Sequence, residues 1–222
     1  MSLLSLLAPA RCAVCAVPGA ELCAGCTRLL PRTGPTGCAR CGAPGPWPVA
    51  RCVECSGRRL GFARARGVLV YAGPTRRLLA SWKERGRRDL TRLLVALVAD
   101  AVGPPQVDVV TFVPADRERR LARGFDPPRA LAAGVAGEWE TQVRPLLTRV
   151  ATGSALRQAG LRGAERRSNV RGAFTACDRA PPRVLLVDDV YTTGSTVSAC
   201  ATELRRAGAR SVEVVCLARA VR

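Results

Sequence analysis

Histidine is absent from all 222 residues, and lysine occurs once, as Lys83. The first absence excludes a Ser-His-Asp triad, a Cys-His nucleophile pair and any histidine-ligated metal. The second excludes a G-x-x-x-x-G-K-[ST] phosphate loop, because Lys83 stands in SWKERG. No G-x-G-x-x-G dinucleotide fingerprint occurs either. Aromatic residues are scarce: three Trp, two Tyr and four Phe leave little for base stacking beyond Trp47, Tyr71 and Trp82. No run approaches the apolar length of a membrane span, so the expectation is a soluble, cytoplasmic chain without membrane insertion. Chemistry here has to rest on electrostatics and positioning.

What the chain has in plenty is cysteine and arginine. Cys12/Cys15, Cys23/Cys26, Cys38/Cys41 and Cys52/Cys55 form four C-x-x-C pairs separated by seven, eleven and ten residues. Each pair is a knuckle that turns two thiolates to one side, and two knuckles complete a tetrahedral zinc site of four sulfurs. Eight cysteines predict two structural Zn2+ sites. Sequential pairing, the first four cysteines on one ion and the later four on the other, is the expectation, with interleaved pairing as the alternative. A disulfide framework needs an oxidising compartment, yet MSLLSLLAPAR lacks a basic n-region and runs directly into the first knuckle. About 60 residues rich in Gly and Pro bury too little to fold alone, so metal takes the place of a core. Cys177, Cys200 and Cys216 fall outside the pattern and read as small apolar residues.

Arginine supplies 34 of the 35 basic residues, which stand against 17 acids for a formal charge of +18. A polyanionic partner follows, discounted for an Ala-, Gly-, Pro- and Arg-rich composition. Residues 61–95 carry nine cations against two acids, whereas residues 172–222 carry seven against five. The basic stretch is either a solvated helix face or a surface for single-stranded DNA, bound electrostatically and with strong salt dependence.

From Gly67 onward, strand-like and helix-like segments alternate, which predicts an α/β domain with a mainly parallel sheet over residues 61–222, behind a double zinc-ribbon-like module at residues 1–60. Expected strands are GVLVY, VDVVTFVP, a segment near Val143 to Leu147, Val184 to Val187, and SVEVVCLARA; expected helices include Thr75 to Val102, Pro128 to Gly137 and Ser195 to Ala207. The stretch VLLVDDVYTTGST, Val184 to Thr196, concentrates the chemistry. Its apolar strand delivers Asp188 and Asp189 to the carboxyl edge of the sheet, where ligands of open α/β folds bind. Thr192, Thr193, Ser195 and Thr196 offer hydroxyls, Gly194 allows close backbone approach, and a helix start adds free amides, so the turn is a phosphate cradle. Carboxylates repel phosphate but accept hydrogen bonds from a vicinal diol. Phosphate at one end and two hydroxyls at the other describe a ribose 5-phosphate.

The strand, acid pair and turn resemble the phosphoribosyl diphosphate (PRPP) motif of type I phosphoribosyltransferases. That resemblance implies Asp188 and Asp189 on the ribose hydroxyls as the candidate catalytic residues, Val190, Tyr191 and Thr192 to Thr196 around the ligand, and Mg2+ arriving with PRPP. After VDVVTFVP, Arg117, Arg119, Arg120 and Arg123 form an expected basic loop able to approach the diphosphate, and Arg149 to Phe174 reads as a lid. Through LLASWKERGRRDLTRLL, VPADRERRLARGF and QAGLRGAERRSNVRGAF the whole chain resembles the competence protein F (ComF) family. Membership implies a type I phosphoribosyltransferase-like parallel sheet flanked by helices, with a small N-terminal zinc-ribbon module built on four-cysteine sites. It also implies a role in natural transformation beside a competence helicase. The chain departs from the family at Asp126 and Pro127, where Asn-Gln is usual.

Overall fold

A computed structural model describes residues 10–150 and 172–221. Its centre is a four-stranded sheet of β1 (Arg64–Val70), β2 (Val109–Phe112), β5 (Arg183–Tyr191) and β6 (Ser211–Arg219), ordered β1-β6-β5-β2 and parallel throughout. The parallel α/β fold with an N-terminal cysteine module, expected from the alternation of segments, is the observed architecture. Strand β5 is central and alternates its burial: Leu185 and Val187 enter one core, Val184 and Leu186 the other. A strand covered on both faces must be apolar throughout its middle, which is why four consecutive aliphatic residues occur here.

One face is covered by α2 (Gly73–Lys83), α3 (Leu90–Val102) and α5 (Pro127–Glu138), the other by α6 (Ser195–Arg206). Each helix turns a stripe of helical spacing to the sheet: Thr75, Leu78, Leu79 and Trp82 in α2, and Val197, Cys200, Ala201 and Leu204 in α6. Trp82 is therefore fully buried and is not a stacking platform; Trp47, at 68% exposure, retains that capacity. Cys200 and Cys216 are buried as small apolar residues, but Cys177 is exposed, contrary to expectation.

The expected strand near Val143 to Leu147 is divided. Val143 makes a single parallel bridge to Val110, Pro145 interrupts the ladder, and β3 (Leu147–Arg149) pairs antiparallel with β4 (Phe174–Ala176). Proline lacks the donor that a continuous ladder needs. Cys177 follows β4 directly, where the chain has left the core for this small outer sheet. The expected basic loop at Arg117 to Arg123 is a helix, α4 (Arg117–Arg123). Asp116 accepts from the Arg119 amide at its start and Gly124, at φ 65°, ends it. Most of the expected lid, including Gln158, Glu165, Arg166 and Asn169, lies outside the described residues.

Residues 10–60 are not a detached appendage. A short helix, α1 (Ala24–Arg28), starts within the second knuckle, capped by Cys23 and carrying Cys26, and residues 31–33 then run antiparallel along β1, with Val70 donating to the Pro31 carbonyl at 2.7 Å and Thr33 to the Val68 carbonyl at 3.1 Å. Cys12 and Cys26 belong to the same core as α2 and α3, while Cys38, Cys41 and Cys55 belong to the core beneath α6.

Candidate functional site

All four parallel strands end on one edge, and the candidate ligand residues gather there. Strand β5 extends four residues beyond the predicted apolar run because its ladder with β6 continues through Asp188↔Cys216 to Tyr191↔Arg219. Asp188 is 8% exposed, and the amide of Asp189 donates to its Oδ1 at 2.8 Å. Burial first, and the neighbouring charge of Asp189 second, push the Asp188 carboxyl up to about 8. Lys83, at the end of α2, pairs through Nζ with Oδ2 of Asp189 and opposes that shift.

Beyond Tyr191 the chain turns through Thr192 and Thr193 to Gly194, whose φ is 71°. A Cβ on Gly194 would lie 2.1 Å from the Tyr191 hydroxyl, so glycine is required by both dihedral and space. Thr193 and Ser195 hydroxyls are 2.9 Å apart, the Ser195 amide donates to Thr193 Oγ1 at 3.3 Å, and Gly194 at the N-cap has no side chain to cap the helix. The next amides of the first turn of α6 have no intrahelical acceptor. Thr192 is exposed, Thr193, Ser195 and Thr196 are half-buried, and Val190 packs partly into the core. Tyr191 is buried edge-on against Phe62, 6.3 Å between centroids, and forms the floor of the turn rather than its lining.

Helix α4 stands after β2 on the same edge. Arg117 and Arg120 are exposed, whereas Arg123 is paired with Glu84 at 2.5 Å. Lys83 and Glu84, adjacent at the end of α2, thus tie the acid pair and the arginine helix to one point. Asp126 has a structural account: it caps α5, accepting from the Arg129 amide at 3.3 Å ahead of Pro127 and Pro128. Burial raises its carboxyl, and its charge is felt at Asp188.

The eight cysteines form two clusters, Cys12/Cys15/Cys23/Cys26 and Cys38/Cys41/Cys52/Cys55, with all sulfurs of a cluster within 4.8 Å of one another. Pairing is sequential, as expected. Sulfur separations of 3.7 Å for Cys15 and Cys23, 3.5 Å for Cys38 and Cys55, and 3.5 Å for Cys41 and Cys52 sit close to the edge of a tetrahedral zinc–tetrathiolate unit, about 3.8 Å for a metal–sulfur bond of about 2.3 Å. Amides point at the sulfurs: Cys26 to Cys23 at 3.4 Å, Cys41 to Cys38 at 3.5 Å and Cys52 to Cys38 at 3.2 Å. Such donors stabilise thiolates, so both clusters fit structural zinc.

Sequence reasoning missed three participants. Lys83 was visible as the sole lysine, but its partner was not. Arg219, 1% exposed, reaches Glu54, the Thr192 carbonyl and the Tyr191 ring. Arg58 donates to the Thr193 carbonyl at 2.8 Å. Neither carries a local signal, because arginine is everywhere in this chain. Among the described residues, no helix is long and apolar enough to cross a membrane.

No family model matches the chain. Among curated proteins it is 32% identical to DNA utilization protein YhgH of Escherichia coli O157:H7 and 30% identical to that of Salmonella typhi, in each case over 96% of this chain and 99% of the relative. It is 33% identical to competence protein F of Haemophilus influenzae over 60% of this chain and 61% of that protein. Among solved structures, the glutamine PRPP amidotransferase of B. subtilis aligns with 26% identity and a TM-score of 0.39, over 59% of this chain and 26% of that one. Adenine phosphoribosyltransferase of Thermoanaerobacter pseudethanolicus aligns with 14% identity and a TM-score of 0.37, over 72% of this chain and 93% of that one. The chain spans about a quarter of the amidotransferase and nearly the full length of the YhgH proteins. Matched end to end at that identity, and carrying both cysteine clusters ahead of the acid pair and its turn, the chain belongs to the family of DNA utilization protein YhgH and competence protein F, the ComF family.

Proposed function

We propose that this chain binds PRPP or a related 5-phosphoribosyl ligand with Mg2+, and that the site serves the handling of incoming DNA in the cytoplasm. The observation that carries the reading is the union, across one turn, of an acid pair, Asp188 buried and Asp189 half-buried, and a helix start with glycine at its N-cap. Asp188 and Asp189 accept hydrogen bonds from the ribose hydroxyls. The hydroxyls and amides of Thr192, Thr193, Gly194, Ser195 and Thr196 receive the 5-phosphate. Arg117 and Arg120, exposed with Arg119 on the same helix, meet the diphosphate, with Arg123 joining them when it leaves Glu84. Bound Mg2+ supplies charge neutralisation for the diphosphate as it departs. Asp188 and Asp189, at the end of β5, would offer the ion oxygen donors. Residues 1–60 act as the metal module and residues 61–222 as the ligand domain. The names DNA utilization protein and competence protein F support the setting in DNA uptake; a helicase partner belongs to the reading itself.

Calorimetric titration of PRPP with Mg2+ tests this, with Asp188→Asn/Asp189→Asn as the control. Saturable binding lost in the double variant is expected; absence of binding to the wild type rejects the reading.

A second reading has its own observation. Arg32, Arg64 and Arg66 line a groove of about 620 Å³ between the second cysteine module and β1, with Arg64 and Arg66 both paired to Glu213, at 2.8 and 3.7 Å. This groove suits the backbone of a single strand, read through charge rather than sequence. It predicts single-strand binding that survives Asp188→Asn and falls steeply with salt; binding insensitive to salt rejects it.

A further inference from the structure

Arg219 ends β6 and is almost completely buried, so its partners state what it is there for. Its Nη2 meets Glu54 at 2.6 Å, and Glu54 lies between Cys52 and Cys55. The same nitrogen is 3.9 Å from Sγ of Cys41. On its other side, Nη1 donates to the Thr192 carbonyl at 3.2 Å, and the guanidinium lies 4.2 Å from the centroid of the Tyr191 ring. One side chain therefore touches the second thiol cluster and the candidate phosphate turn. Gly67 on β1 makes the room, since a Cβ there would come within 2.6 Å of the Arg219 Cβ. Arg58, three residues after Cys55, repeats the connection by donating to the Thr193 carbonyl at 2.8 Å. Both carbonyls that precede Gly194 are thus held by arginines anchored at the cysteine module.

Such bonds fix the direction of the peptide planes they touch. With the Thr192 and Thr193 carbonyls drawn toward the module, the amides that follow are presented to the opposite side, where a phosphate is expected. Four thiolates outweigh the charge of one zinc ion, so a loaded cluster is itself an anion. Together with Glu54 it balances the buried guanidinium. Backbone bonds such as Cys55 amide to Cys52 carbonyl at 3.1 Å shape the Cys52–Cys55 knuckle, and metal at the four thiolates would fix its distance from Cys38 and Cys41, and with it the placement of Glu54.

We propose that Arg219 and Arg58 are positioning residues for the Thr192–Gly194 turn, and that metal occupancy at Cys38, Cys41, Cys52 and Cys55 sets the shape of that turn and its affinity for a 5-phosphate. The consequence for affinity rests on the PRPP reading; the coupling itself does not. The test uses the full zinc-loaded chain and two readouts, calorimetric PRPP affinity and hydrogen exchange at the amides bonded to the two ends of the turn, Ser198 to the Gly194 carbonyl and Ala220 to the Tyr191 carbonyl, each at 2.9 Å. Arg58→Ala and Glu54→Gln are expected to retain both zinc equivalents and their circular dichroism while the turn exchanges faster. PRPP binding is expected to weaken by about tenfold in each, the loss of one hydrogen bond from a charged donor. Arg219→Lys, which keeps the charge but not the two-sided reach, is expected to give the same pattern more strongly. Stepwise chelation extends the test, with exchange at the two pairs of knuckles reporting which cluster has emptied. Loss of turn protection together with the second zinc supports the coupling, even in a protein that shows no PRPP binding, an outcome that rejects the phosphate reading alone. Unchanged turn exchange after the second zinc has left, or in both Arg58→Ala and Glu54→Gln, overturns the proposal.

Discussion

Lys83, the only lysine of the chain, lies with its Nζ against Oδ2 of Asp189, the half-buried member of an acid pair whose other member is buried. Removing it as Lys83→Met leaves two adjacent carboxylates without their cation. The variant is expected to lose about 2 kcal/mol of stability at neutral pH. Urea unfolding checks this, and an unchanged midpoint shows that the pair contributes nothing.

Asp188 makes stability fall as pH rises. Its carboxyl moves from an ordinary 3.8 to about 8 on folding, so the folded chain binds the extra proton between those values. The associated stability is complete below about pH 4 and is lost as pH rises through about 8. Asp188→Asn removes this titration. It is expected to melt above the wild type at about pH 8.5, by about 2–4 °C for each kcal/mol regained, and to converge with it near pH 4. Scanning calorimetry that finds the same gap at both pH values refutes the shift.

Protein purified without added metal is expected to carry about two zinc equivalents per chain. Because Cys12 and Cys26 sit in one core and Cys38, Cys41 and Cys55 in the other, chelation is expected to lower the melting temperature of the whole chain rather than release a separate unit. Two independent transitions after chelation contradict that.

Gly194→Ala places a Cβ against the Tyr191 ring at a positive φ. A cost of about 1–3 kcal/mol is expected, together with loss of PRPP binding. Retention of wild-type affinity by the folded variant removes the turn from the ligand site.

Single-strand binding is expected to weaken with Arg32→Ala, Arg64→Ala or Arg66→Ala, each lowering the salt slope by about 1 without a change in base preference. Fluorescence anisotropy at several salt concentrations measures it, and a slope identical to the wild type places the strand elsewhere.

The parts legible in the sequence are those whose signals are contiguous. VLLVDDVYTTGST is strand, turn and helix start in one run, and the cysteine knuckles are grouped by spacing, so both were readable from the chain itself. The helix at Arg117 also had its signals, Asp116 before it and Gly124 after it, but four arginines drew the reading toward a loop. Long-range pairings were beyond reach. Lys83 and Asp189 are 106 residues apart and Arg219 and Glu54 165, and no periodicity in either segment announces the other. The expectation that residues 1–60 lean on metal alone was likewise local. Only the folded chain shows Ser81 of α2 donating to the Ala13 carbonyl at 2.8 Å and Arg87 to that of Arg11 at 2.9 Å.

Residues 31–33 along β1, and Gln142 to Arg144 along β2, occupy both outer rims of the four-stranded sheet. A parallel sheet with bare rims is a template for the strands of other molecules. The segment that covers β1 leads from one cysteine cluster to the other, so its attachment depends on metal at both ends. Loss of zinc, which destabilises the whole chain, is expected also to loosen the cover over residues 68–70 and to favour association between chains along that rim.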